Sequence, residues 1–152
     1  MTPRRYDPDL VQVRLRELRT LLTDLESLGE LSAAQLRSDR IRRHAVERIL
    51  IALVDLAVAV NSHVAATVLS AAPTSYADSF RGAAEAGLIA PQLAMRLAAS
   101  TGMRNVLVHR YLDTDLDRVA AALPTATRDF HDYVAQAARF TPARFTPPTS
   151  GD

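Results

Sequence analysis

From Ile49 to Val60 the chain is apolar nearly all the way round a helix, interrupted only by Asp55, and this does most to limit what it can fold into. A helix without a polar face has to be enclosed, by other helices or by lipid. Asp55, Asn61 and His63 break the stretch, so no uninterrupted apolar run reaches the roughly 20 residues that span a bilayer. We read it as the central helix of a bundle, with no membrane association. Its start is signalled by a capping box at Ser32-Ala33-Ala34-Gln35, and it runs to about Ala72, either continuous or bent near Ser38-Asp39.

The remaining segments supply the enclosure. Asp7-Pro8 opens a first helix with a capping side chain and a proline in its first turn, and Val11, Leu15, Leu18, Leu22 and Leu25 recur at helical spacing up to a stop at Gly29. Pro73-Thr74-Ser75 breaks the central helix and caps a short third one, which passes Phe80 and Ala84 and stops at Gly87. Ala90-Pro91 starts a fourth. Within it Gly102 lowers helical stability, which marks either a bend or a close backbone approach. Asp113-Thr114-Asp115 caps a last helix from about Leu116 to Phe140, where Pro124 is expected to kink or split the helix. No strand pattern, glycine-rich phosphate loop or internal repeat is present. The expected fold is all-α, an antiparallel up-and-down bundle of four to five helices in one domain over 1–140, with an irregular or disordered tail over 141–152.

Composition narrows the function classes. The 152 residues are about half apolar, enough for one real core, and contain no cysteine. That removes disulfides, thiolate zinc sites and thiol nucleophiles together, and the simplest compartment is the cytoplasm. Met1-Thr2-Pro3-Arg4-Arg5-Tyr6-Asp7 has basic residues with no apolar core behind them, unlike a signal peptide. A net charge of +1 is too small for a protein that coats nucleic acid, so any such contact is local.

The densest chemistry lies in Arg104-Asn105-Val106-Leu107-Val108-His109-Arg110-Tyr111. Arginine is a permanent, fork-shaped cation suited to phosphate, and histidine moves protons near neutral pH. Together they suit phosphodiester chemistry. At about 100° per residue, Arg104 and His109 stand about 140° apart around a helix, whereas Asn105 and His109 share a stripe. Both stripes can face one site only where a cleft wraps around the segment, as between packed helices or across a two-fold seam, which hints at a dimer. Asp55, a carboxylate in an apolar helix, must be solvated, paired or hydrogen-bonded. It either meets an arginine or another polar helix, or orients Arg104 or His109. Glu47 and Asn61 lie near one core stripe of the same helix and could approach the cleft. His63 reads as a satisfied histidine, and His44 and His131 as solvent-facing.

Arg104, Asn105, His109 and Tyr111 together reproduce the R-x4-H-x-Y pattern of the HEPN ribonucleases, and the chain resembles the HepT-type toxins. The resemblance implies a small all-helical homodimer whose paired motifs line an RNA-cleaving cleft. It also implies a partner antitoxin, an MntA-like minimal nucleotidyltransferase, that transfers AMP onto the motif tyrosine, here Tyr111, as in a type VII-like toxin–antitoxin pair. Under this reading Arg104 and His109 are catalytic, with Asn105, Asp55 and Asn61 in support. The substrate is messenger or transfer RNA, and neither a metal nor a cofactor is needed because RNA carries its own 2′-OH nucleophile. Two other classes compete with it, a non-catalytic HEPN module that binds RNA or nucleotide, and a purely structural partner of a nucleotidyltransferase.

Overall fold

A computed structural model describes residues 4–109 and 115–142, and every regular element among them is helical. Six α-helices occur: α1 (Pro8–Ser27), α2 (Ala33–Ser38), α3 (Arg40–Val64), α4 (Tyr76–Glu85), α5 (Pro91–Val108) and α6 (Leu116–Ala138), with a π-helical turn (Ala65–Leu69) continuing α3.

Local chemistry sets most of the boundaries. The Asp7 side chain accepts from the Leu10 N–H and Pro8 sits in the first turn of α1. Ser32 and Gln35 form the expected reciprocal capping box at α2. The break near Ser38-Asp39 is real and falls on one residue, since Asp39 ends α2 through its N–H to the Gln35 carbonyl and begins α3 by accepting from the Arg42 N–H. Gly29 and Gly87 follow α1 and α4 with φ of 74° and 84°, the left-handed conformation that costs glycine nothing.

Of the two outcomes expected at Pro124, the split does not occur. Helix α6 runs unbroken from Leu116 to Ala138 with the proline inside it, so the chain is not split there. The residue is exposed, which keeps its ring out of the packed interface. Gly102 lies inside α5, exposed, and a Cβ built there would meet nothing within 4 Å. No close approach of another backbone explains it among the described residues.

The core forms around α3. Leu53, Ala57, Val60 and Val64 have no accessible surface, and they face Leu15, Leu18 and Leu22 of α1, Phe80 of α4, Leu97 of α5 and Phe130 and Tyr133 of α6 in one cluster. By length and composition the helix Arg40–Leu69 could cross a membrane, and half of its most apolar window is buried within this bundle. The four long helices alternate in direction, while the short α4 runs along α3, with Ser79 beside Asn61 and Gly82 beside Ala65. The short link through α2 makes α1 antiparallel to α3, and the Asp7 N–H reaches back to Nε2 of His63 at 2.9 Å. Arg37–Asp117 at one end and Tyr133 against Ala57 and Asn61 at the other make α6 parallel to α3. Gln136 accepts from the Ala90 N–H and Arg96 pairs with Asp129, so α5 runs antiparallel to both. Continuing along α5 from Arg104 to His109 therefore means travelling toward the N-terminal half of α3.

The His63 contact makes the docking of the N-terminus sensitive to pH. Its Nε2 must stay unprotonated to accept from Asp7, and burial lowers its pKa, with Asp7 pulling the other way and Arg14 and Arg4 adding to the lowering. A histidine with a lowered folded-state pKa takes up its proton more readily when unfolded. Its stabilisation is thus complete above the unfolded value of about 6.5 and declines as pH falls through the folded value. Urea unfolding should show a lower midpoint at about pH 5.5 than at about pH 7.5, and His63→Gln, whose amide oxygen accepts at either pH, should reduce that difference.

Candidate functional site: an arginine held between a carboxylate and a ring

The motif occupies the last turns of α5. His109 is the C-cap residue, its N–H bonded to the Asn105 carbonyl at 3.0 Å, so Asn105 and His109 are consecutive on one exposed stripe. Arg104 points elsewhere. Its guanidinium enters the groove between α3 and α4, leaving the side chain 18% exposed. No hydrogen bond or ion pair joins Arg104 to His109 among the described residues, in keeping with the wide angle between them on the helix. Tyr111 lies outside the described residues.

In that groove Nε of Arg104 donates to Oδ1 of Asp55 at 3.0 Å and Nη2 to Oδ2 at 3.5 Å. Asp55, the one charged residue of the apolar stretch, is thus paired across helices with the motif arginine. This joins two of the alternatives the sequence leaves open: the arginine partner is Arg104. Nη2 also donates to the Tyr76 hydroxyl at 3.4 Å, and the guanidinium carbon stands 4.7 Å from the centroid of the Tyr76 ring. Nη1 makes no hydrogen bond among the described residues.

Tyr76 is the first residue of α4, whose start is firmly fixed. Ser75 accepts from the Asp78 N–H, and Oδ2 of Asp78 accepts from both the N–H and the hydroxyl of Thr74. The Thr74 backbone bond is the main reason the Asp78 carboxyl lies below its ordinary pKa. A buried relay supports the same turn from beneath. The Tyr133 hydroxyl donates to Oδ1 of Asn61 at 2.7 Å, Nδ2 of Asn61 to the Ser79 hydroxyl at 3.3 Å, and that hydroxyl to the Tyr76 carbonyl at 2.7 Å. Burial pushes the Tyr133 phenol far up, keeping it a neutral donor.

Asn61 is therefore not brought together with Arg104. It is fully buried, its amide committed to Tyr133 and Ser79. Glu47 is likewise buried and pairs with Arg43 at 3.8 Å. His63 is satisfied by the Asp7 N–H, and His44 and His131 are exposed. Tyr76 escapes sequence reasoning. Ser75-Tyr76-Ala77-Asp78 reads as a helix start and nothing more, because only the packing of α4 on α5 brings the ring to the arginine.

The fold is that of the HEPN toxins. It matches the structure of a toxin–antitoxin with AMP-PNP at a TM-score of 0.76 and 21% identity, covering 84% of this chain and 96% of that one. It matches a tri-AMPylated Shewanella oneidensis HEPN toxin in complex with MNT antitoxin equally well, at 0.76 and 21%, covering 86% and 97%. In sequence the chain is 27% identical over 130 residues to the tRNA nuclease HepT of Aphanizomenon flos-aquae (strain 2012/KM1/D3), covering 86% of this chain and 88% of that protein. The ribonuclease HepT-like family matches residues 18–137, and the chain belongs to that family.

The part-buried Arg104–Asp55 contact should matter more to stability than an exposed pair such as Arg37–Asp117, whose side chains are 55% and 72% exposed. Asp55→Ala should cost about 1–2 kcal/mol, and Asp117→Ala less than about 1 kcal/mol. Chemical denaturation of the two variants checks the order; a larger loss at Asp117 would contradict it.

Proposed function

We propose that this chain is an endoribonuclease toxin acting as a homodimer, with Arg104 and His109 cutting RNA in a cleft between two copies, and silenced by AMP transfer onto Tyr111. The observation that carries the reading is the held Arg104: in a member of the HepT-like family, the motif arginine is fixed through Nε and Nη2 and makes no bond through Nη1 among the described residues. A cation so presented suits a phosphate oxygen.

The chemistry follows from the substrate. A base removes the proton of the ribose 2′-OH, the 2′-oxygen attacks the adjacent phosphorus, and the bond to the 5′-oxygen breaks as an acid protonates it. The products are a 2′,3′-cyclic phosphate and a 5′-OH. His109 takes one of the two proton-transfer roles and His109 of the second copy the other. Arg104 stabilises the charge gathering on the phosphoryl oxygens, and Asn105 orients a phosphate or His109. Asp55 holds Arg104. No step calls for a metal ion. Asn61 contributes through the core, since its amide is committed there. The relative named as a tRNA nuclease favours transfer RNA over messenger RNA as the substrate.

The surface of α5 supports the dimer. Among the described residues, three of the five exposed large hydrophobics, Met95, Val106 and Val108, lie on this helix. Met95, Gly102, Val106 and His109 fall within about 60° of one another at 100° per residue, so apolar and small groups flank the histidine on one face. A second copy packed there would bring two His109 side chains toward one seam and would give the open space beside Gly102 an occupant.

Control follows from charge and volume. AMP on Tyr111 adds a bulky anion two residues beyond His109, where it competes with RNA phosphate. A neighbouring MntA-like nucleotidyltransferase is the proposed donor, in line with the antitoxin-bound structures that share this fold.

Unmodified protein, expressed without a partner, should cut RNA in the presence of chelator, leaving cyclic phosphate ends, and should spare substrates lacking the 2′-OH at the cut site. Arg104→Ala and His109→Ala should each lower the rate by about 10²–10⁴-fold with the fold and dimer intact. RNA binding without cleavage by the wild type would favour the non-catalytic module, and complex formation with a nucleotidyltransferase without any RNA interaction the structural partner. Tyr111→Phe should cut RNA and resist a nucleotidyltransferase that silences the wild type; equal silencing of both would count against Tyr111 as the acceptor.

A further inference from the structure

We propose that Tyr76 is a positioning residue for Arg104, fixing the plane of its guanidinium so that Nη1 is presented to an RNA phosphate. The inference rests on the ribonuclease reading and adds to it a residue outside the motif, on a different helix.

Asp55 alone leaves the arginine underdetermined. The carboxylate approaches one edge unevenly, at 3.0 Å from Nε and 3.5 Å from Nη2, which sets a direction within the guanidinium plane but leaves the group free to rock about that edge. The Tyr76 ring supplies the missing constraint. The guanidinium carbon lies over the ring, 4.7 Å from its centroid, and the ring's hydroxyl lies at Nη2, so the cation is fixed by a second contact that does not come from Asp55. Nη1 is the group left for an incoming phosphate to meet.

The choice of an aromatic ring has an electrostatic reason. Asp55 already balances the charge of Arg104, and a second carboxylate would make the groove net negative and repel the substrate. A neutral π-face attracts the cation while leaving its charge available. The ring can act as a fixed surface because its own backbone is held from both sides, by the Ser75–Asp78 cap above and by the Ser79 hydroxyl on the Tyr76 carbonyl below. Asn61 thus reaches the site indirectly. It steadies Ser79, which steadies the turn carrying Tyr76.

A group that aligns the arginine for charge developing at phosphorus acts mainly on the chemical step, whereas a ring that merely fills space leaves that step unchanged once the protein is folded. The test is steady-state RNA cleavage by Tyr76→Phe, Tyr76→Leu and Tyr76→Met, each checked for helix content and dimerisation. Tyr76→Leu and Tyr76→Met should lower kcat by about 10–10²-fold with KM within about 3-fold of wild type, because both lose the π-face. Tyr76→Phe should stay within about 3-fold of wild type, since it keeps the ring and loses only a long hydrogen bond. Methionine, unbranched and able to adapt to the space the ring leaves, keeps the experiment decisive if the leucine variant fails to fold. Wild-type kcat in the folded methionine or leucine variant, a loss confined to KM, or a phenylalanine variant as impaired as methionine would each overturn the proposal while leaving the ribonuclease reading in place. A wild-type protein that cuts no RNA would overturn both.

Discussion

Covering α3 is the constraint on which the rest of the molecule depends. Leu53, Ala57, Val60 and Val64 face inward with no accessible surface, and four other helices are arranged so that each gives them an apolar stripe. Burial at this scale is the dominant favourable term in folding, and it leaves little freedom in where a polar group on α3 can go. Asp55 sits at the edge of the covered surface, 38% exposed, where a cation from a neighbouring helix can reach it. The packing of the core thus decides the position of the one carboxylate that holds Arg104. Structure and site share a single origin.

The polar groups that are fully buried serve the same end by another route. Tyr133, Asn61 and Ser79 form a continuous relay whose last bond falls on the backbone of α4 beside Tyr76. Each member has its partner, so the relay adds definition to the core without an unpaired group. Arg96 and Asp129 do similar work farther along, fixing α5 against α6, with Asp129 almost wholly buried. The C-terminal end of α5 is therefore held by α3 and α4, and its N-terminal half by α6.

How much of this could be read from the chain depended on whether the signal was local. The starts of α1, α2 and α6 were legible because a capping carboxylate or hydroxyl acts within four residues, and so were the stops at Gly29 and Gly87. At Pro124 the expected split does not occur, since α6 continues to Ala138 past one missing N–H. In the site, Arg104 and His109 were visible as chemistry and their divergence as helical geometry. That Asp55 meets Arg104 was legible only as one of several pairings, since it joins residues 49 positions apart. Asn61 was assigned to the cleft because wheel angles give a direction and say nothing of what stands there; Tyr133 and Ser79 do. Tyr76 left no mark at all, for its role is a distance between two helices.

Pro124 has a mechanical consequence of its own. It has no N–H to offer the carbonyl four residues back, at Ala120, so the lengthwise chain of hydrogen bonds in α6 is interrupted between its first two turns and the part that carries Asp129 and Tyr133. The first two turns of α6 are thus tied to the rest of the helix by one backbone hydrogen bond fewer, while Asp129 and Tyr133 beyond the gap are anchored from other helices by Arg96 and Asn61.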